Sequence, residues 1–321
     1  MKFNLTYALL MNTMMIGVIM VISSNNWAVM WMGIEISMMS FIPIMKNKNM
    51  LSAESTMKYF ISQSIASMLF LMSVILMLIG VNYSTLMSIS MVIKMGAAPF
   101  HNWMLMIVEW MSYSTILLML TILKIPPMLI LMYSGEMSTI IIITSMMIGS
   151  IMALNQSSIK KILVYSSVFN LGMMMTSINL FNTWMSYLMI YSLMMILMTN
   201  SINELKINFI SQMMSNESSL LSKMSLWMNM LSMGGFPPLI GFINKMMIIQ
   251  SLMVKNEVMM MLIVMLSSMV MLFFYIRVTF TSIMFYSMST KWMLPMNKTI
   301  KANNYLNLLL SLSMLSIKSL K

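Results

Sequence analysis

Four ionisable side chains interrupt apolar runs of roughly 20 residues each, the length of a membrane span: Glu35, Lys94, Lys124 and Lys245. A mid-span lysine opposes insertion by about 2.5 to 3.5 kcal/mol, whereas each strongly apolar residue favours it by about 0.3 to 0.6 kcal/mol. Such a span still inserts, but its charge must face protein or a water-filled cavity. Ionisable groups inside membranes mark ion and proton pathways. Four of them in separate spans predict a route for charge across a bilayer.

Each group has its own chemistry and its own bland alternative. An unpaired carboxyl at Glu35 would hold its proton, and a nearby ammonium would keep it ionised. Lys94 stands directly before Gly96-Ala97-Ala98-Pro99. A Glu–Lys pair about 4 Å apart interacts by about 4 kcal/mol at an effective dielectric near 20. One proton arriving nearby would then reset both partners, which titrate as a unit. We expect Glu35 and Lys94 to face each other beside a shared cavity. Lys124 precedes Ile125-Pro126-Pro127, whose prolines release the carbonyls of Ile122 and Leu123 to host an ammonium or water. Lys245 follows Gly234-Gly235-Phe236-Pro237-Pro238 by about two turns. His101 lies seven residues after Lys94 and suits a relay near a channel mouth, although Pro99 intervenes. The alternatives are a protonated Glu35 bonded to a neighbouring helix, a snorkelling Lys94, static ion pairs at Lys124 and Lys245, and a merely packed His101.

The elements that must position these groups are membrane helices. The 321 residues are 60% hydrophobic and 8% charged, with mean hydropathy +0.89; soluble domains carry about 25% charge. Backbone in lipid must satisfy its own hydrogen bonds, so the runs are helices. We read eleven, at about 5–22, 26–44, 57–80, 84–110, 113–133, 137–154, 162–179, 184–199, 224–251, 257–285 and 303–317. With eleven spans, Lys2, Lys46, Lys48, Lys160, Lys161, Lys206, Lys223, Lys291, Lys298 and Lys301 share one side, and Lys255, Lys318 and Lys321 the other. That bias places the N-terminus in the matrix or cytoplasm and the C-terminus opposite. Glu109, Glu136, Glu204, Glu217 and Glu257 lie near ends or loops and read as solvated.

Two spans, the fourth and the ninth, are interrupted by glycine and proline. Proline lacks an N–H and clashes with the carbonyl four residues back, so Met95, Met233 and Gly234 should lose helical partners. Broken helices at membrane depth belong beside protein or a water-filled cavity. The two breaks are five helices apart, so helices 1–5 and 6–10 predict inverted repeats, about 1–133 and 137–285, and such paired breaks point to a transport site. The alternative is a pair of unrelated packing kinks.

Composition also excludes. With no cysteine, disulfides and iron–sulfur or haem attachment through Cys are ruled out. One histidine and no aspartate argue against a protein-only metal site. The net charge of +11 reads as topology rather than nucleic-acid binding. The 56 methionines fill lipid-facing and core positions. With 17 lysines against one arginine, they suit an AT-rich gene in a code with an extra Met codon, as in mitochondria. Met1-Lys2-Phe3 runs into a span without an Arg-rich presequence, so synthesis inside the organelle is expected.

The stretches WMGIEIS (31–37), ESTMKYFISQSIASM (54–68), KMGAAPFHNW (94–103), LKIPPM (123–128), LNQSSIKKILVYSS (154–167) and SMGGFPPLIGFINKMMII (232–249) resemble the chain 2 family of mitochondrial NADH:ubiquinone oxidoreductase, respiratory complex I. They occur in the family's order. The resemblance implies an all-α, antiporter-like, proton-pumping membrane-arm subunit of the mitochondrial inner membrane, with eleven helices. It assigns Glu35 as the essential carboxylate, Lys94 as its partner, Lys124 as central relay and Lys245 as the lysine toward the intermembrane side. Gly234, Gly235, Pro237 and Pro238 match the second discontinuous helix. Family members have an aromatic after the histidine and a proline shortly beyond the tryptophan. This chain has Asn102 and Met104-Leu105 there, so the half-helix after Pro99 should run straighter. The resemblance further implies that the chain binds no cofactor itself. NADH, FMN, iron–sulfur clusters and ubiquinone belong to the rest of the complex, and the partners are other membrane-arm subunits and lipids. A cation/proton antiporter subunit and a structural membrane-arm spacer are the competing readings.

Overall fold

The computed structural model describes residues 5–46, 50–135, 138–215, 220–237 and 239–287. Among these residues there is no strand beyond one isolated bridge, and fourteen α-helices follow in order. They are α1 Leu5–Ser23, α2 Trp27–Met45, α3 Met50–Ile79, α4 Ser84–Met95, α5 Asn102–Val108, α6 Tyr113–Leu120, α7 Ile125–Ser134, α8 Thr139–Ala153, α9 Ile159–Thr176, α10 Phe181–Leu205, α11 Ile210–Ser215, α12 Leu220–Gly234, α13 Ile240–Val254 and α14 Val258–Ser287. A 3₁₀ turn, Ile122–Lys124, joins α6 to α7. The chain forms two compact units, Met1–Ser145 and Met146–Lys321. The expected helix 303–317, together with Pro238, Glu136, Glu217, Lys2, Lys48 and the lysines from Lys291 onward, lies outside the described residues.

Ten of the eleven expected spans have counterparts here. Among the described residues, six stretches are long and apolar enough to cross a membrane: α1, α2, α3, the Tyr113–Ser134 run, α10 and α14. The others fall short for physical reasons. The fourth and ninth spans are cut into α4 with α5 and α12 with α13. In α9, polar Ser166, Ser167 and Asn170 are buried among the apolar residues. Two loops expected from sequence are partly helical. α3 begins at Met50 rather than 57, with Glu54 and Lys58 paired at 2.5 Å one turn apart. The loop expected at 200–223 contains the end of α10 and the short α11.

Burial runs opposite to that of a soluble amphipathic helix. Along α3 the buried positions include Ser52, Ser55, Thr56, Tyr59, Gln63, Ser67 and Ser73, at helical spacing. Met57, Ile61, Ile65, Met68, Met72 and Ile75 are exposed. Such an inversion suits a helix in an apolar solvent: the Met/Ile face points outward, and the inward hydroxyls donate back to their own helix carbonyls, as Ser55 does to Ser52 at 2.8 Å.

The first pair of helices is held by backbone contact. A Cβ on Gly17 would lie 2.6 Å from the Gly33 carbonyl oxygen and 2.8 Å from the Ser37 nitrogen. Small residues let membrane helices approach this closely. The contact fixes the rotation of α2 about its axis. Glu35, two residues beyond Gly33 and about 200° further round, is turned away from α1.

In the second unit, two hydrogen bonds tie connections to the same side. Ile159 N–H donates to Asn208 O and Ile210 N–H to Ser157 O, both at 3.0 Å, around the Ser158–Phe209 bridge. The start of α9, with Lys160, therefore meets the segment after α10 that follows Lys206. At the other end of α9, Lys255 Nζ donates to Thr176 O at 3.2 Å. These contacts put Lys160 and Lys206 toward one end of α9 and Lys255 at the other.

Candidate proton-transfer site

The two broken spans end in the same way. At the end of α4, Gly96 takes a left-handed conformation, φ +67°. Its N–H bonds Ile93 O and the Ala97 N–H bonds Val92 O, both at 3.1 Å. At the end of α12, Gly235 has φ +76°, with its N–H on Ser232 O at 3.0 Å and the Phe236 N–H on Leu231 O at 3.1 Å. This paired pattern is the Schellman motif, which needs a residue free to adopt positive φ. Glycine therefore terminates each helix, and the prolines lie beyond the end. Of the expected break residues, Gly96 and Gly235 end the helices, whereas Pro99 and Pro237 follow after the end.

In the first unit, Lys94 Nζ lies 3.6 Å from Glu35 Oε1, with side chains 2% and 19% exposed. The two charges compensate each other across α2 and α4 without a direct hydrogen bond. Lys94 also lines a cavity of about 30 Å³, room for about two waters. Lys124 lines the same cavity, together with Ser37, Tyr59, Gln63, Trp103 and the Pro126–Pro127 step. Glu35 is not among the lining residues and meets the cavity only through Lys94.

Lys124 is held at the wall by the turn between α6 and α7 and is 2% exposed. Thr121 leaves helical geometry, and its hydroxyl donates to Leu117 O at 2.7 Å. The Lys124 N–H then bonds Thr121 O at 3.2 Å, and the Ile125 N–H bonds Ile122 O. The Ile122 carbonyl is thus taken by the tightened turn, not released as the prolines alone suggested.

In the second unit, Lys245 on α13 reaches back over the helix break. Its Nζ donates to Gly234 O at 2.5 Å and to Ser268 O at 3.5 Å, 6.0 Å from the centre of the Phe169 ring. A carbonyl freed at the end of α12 thereby becomes the seat of the ammonium. A Cβ on Gly235 would lie 2.7 Å from that Nζ. Glycine is needed at 235 both for its φ and for the space that Lys245 fills. We predict that Gly235→Ala costs about 1 to 2 kcal/mol from left-handed strain and also displaces Lys245. The signature is lower turnover per assembled complex in addition to a lower yield; unchanged turnover per complex would count against the seat.

The structure brings Glu35, Lys94 and Lys124 together within the first unit and places Lys245 in the second. His101 is buried in the loop between α4 and α5, where Nδ1 donates to Pro99 O at 3.2 Å, and it does not line the cavity. The segment after Pro99 is a seven-residue helix, α5, followed by a turn, so no long straight half-helix follows the break. Gln63, Tyr59 and Ser37 were not singled out from sequence as site residues. Their signal was the polar stripe of α3 at helical spacing and the Ser37 step after Glu35.

The family model described as NADH:quinone oxidoreductase/Mrp antiporter, transmembrane, matches residues 24–85 and 81–272. NADH-ubiquinone oxidoreductase chain 2 of Anopheles gambiae is 33% identical over 314 residues, covering 93% of this chain and 90% of the relative. The Locusta migratoria protein of the same name is 32% identical, covering 96% and 94%. In the solved structures, a chain of respiratory complex I from Thermus thermophilus superposes with TM-score 0.80 over 97% of this chain and 79% of its own length. At 19% identity that likeness speaks to the fold alone, which is all-helical and antiporter-like. Sequence and fold agree: the chain belongs to the NADH-ubiquinone oxidoreductase chain 2 family, within the wider NADH:quinone oxidoreductase/Mrp antiporter family.

Proposed function

We propose that this chain is the antiporter-like membrane-arm subunit that translocates protons for a respiratory NADH:ubiquinone oxidoreductase. Glu35, Lys94, Lys124 and Lys245 are its proton stations. The observation that carries the reading is the Glu35–Lys94 pair, its lysine buried beside a helix break, with Lys94 and Lys124 on one cavity that has room for about two waters. A spacer has no need of two lysines on one internal cavity, because each costs insertion energy.

The chemistry is proton movement between fixed groups. When Glu35 is ionised, it holds Lys94 charged; a proton arriving at Glu35 removes that hold, and Lys94 passes its proton through the cavity to Lys124. Lys245, seated on Gly234 O, is the station of the second unit. The direction is from matrix to intermembrane space, with the N-terminus in the matrix and the C-terminus opposite; the clustering of lysines on one set of loops supports it. The halves about 1–133 and 137–285 are inverted repeats, and the identical glycine endings of α4 and α12 support that relation.

Redox chemistry belongs to other subunits. The chain has no cysteine to ligate an iron–sulfur cluster, which supports a division in which its partners hold the clusters and, with them, the sites for NADH, FMN and ubiquinone. Purification from inner membranes distinguishes this from a cation/proton antiporter assembly. The expected result is co-purification with subunits carrying flavin and iron–sulfur signals and NADH:ubiquinone activity. A complex lacking both signals would favour the antiporter.

A further inference from the structure

We propose that Gln63 is a positioning residue for proton transfer between Lys94 and Lys124, its side-chain amide orienting the water in their shared cavity. The proposal rests on the reading of both lysines as proton stations.

Gln63 is buried on α3, one turn after Tyr59, and lines the cavity. Its Nε2 donates to the main-chain carbonyl of Lys94 at 3.3 Å. Because a carbonyl only accepts, this bond fixes which end of the amide is which. One of the two Nε2 protons goes to Lys94 O, and the amide oxygen is the acceptor that Gln63 offers to the cavity it lines. The surroundings keep the residue in place. Trp103 Nε1 donates to the neighbouring Ile93 O at 3.0 Å, and the Trp103 ring packs on Tyr59, which packs on Phe41, at centroid distances of 5.9 and 5.5 Å.

Proton transfer between two amines through water makes a specific demand. A water that accepts an N–H from Lys94 must place two protons of its own. If one is held by an uncharged acceptor, the other is aimed at a deprotonated Lys124. Gln63 Oε1 is that acceptor, and it takes no net part in the transfer. The proton leaves Lys94 Nζ for the water oxygen as the water's second proton passes to Lys124 Nζ. One N–H bond breaks, one forms, and the water is regenerated. The Ser37 hydroxyl proton is already committed to Ile34 O at 2.7 Å, which leaves its oxygen as a second acceptor on the wall.

The test compares Gln63→Leu, Gln63→Glu and Lys124→Met in the assembled complex, with turnover normalised to flavin. Gln63→Leu is expected to slow NADH:ubiquinone turnover per complex about tenfold, the effect of one hydrogen bond lost from the transfer step. Gln63→Glu keeps a proton acceptor of the same length. It is expected to recover most of the rate and to displace the pH profile, because a titrating group has entered the cavity. A merely structural Gln63 predicts less assembled complex with unchanged turnover and pH profile in the Leu variant; that result overturns the proposal, as does a Glu variant no better than Leu. Unimpaired Lys124→Met would overturn the underlying reading instead. Impaired Lys124→Met with wild-type Gln63→Leu turnover removes Gln63 alone.

Discussion

Lys94→Met is expected to lower proton translocation and NADH:ubiquinone turnover by about 100-fold or more, the scale of a lost proton-transfer group. It should also reduce the amount of assembled complex. The ammonium lies 3.6 Å from Glu35 in a site where the lysine side chain is 2% exposed. Removing one member of a buried pair strands the other, at a cost of about 3 kcal/mol, the low end of the known range because Glu35 retains some exposure. Removing both members is far less costly, since no uncompensated charge remains. Glu35→Gln combined with Lys94→Met should therefore restore assembly without restoring translocation. The measurements are complex abundance in native gels and NADH-driven acidification in sealed vesicles. A double variant that assembles and also pumps would show that the pair is structural.

Lys124 separates charge from proton exchange more cleanly. Lys124→Met keeps length and apolarity and removes a buried charge, so assembly should be preserved while turnover drops about 100-fold. The turn at Thr121–Lys124 is built by backbone and threonine bonds that do not involve the ammonium, so it survives the change. Lys124→Arg retains the positive charge but holds its proton at every accessible pH. A static ion pair tolerates arginine better than methionine, and a relay fails with either.

The charges were legible in sequence because each interrupts an apolar run, and bilayer energetics make such interruptions conspicuous. The spans were legible for the same reason, down to the ends of α1 and α2. The grouping of Lys94 and Lys124 on one cavity was less so, because residues on different helices meet through tertiary packing that no spacing rule encodes. Glycine and proline together mark each break in the sequence, and the hydrogen bonds at Gly96 and Gly235 place the ends at the left-handed glycines, before Pro99 and Pro237. Proline is the louder signal in a sequence and glycine the one with the required φ. Gln63 was overlooked because a neutral amide carries no large insertion penalty. Its place in the buried stripe of α3, beside Tyr59 and Ser67, was the available clue.

The most direct test of proton relay through this chain is NADH-driven proton translocation by the assembled Lys124→Arg complex in sealed vesicles. Reduction of an artificial acceptor by NADH serves as the control for intact redox subunits. Acceptor reduction is expected to be normal, with proton translocation and ubiquinone-linked turnover lost together by about 100-fold. Wild-type turnover at a wild-type proton-to-electron ratio would contradict the relay and remove Lys124 from the path.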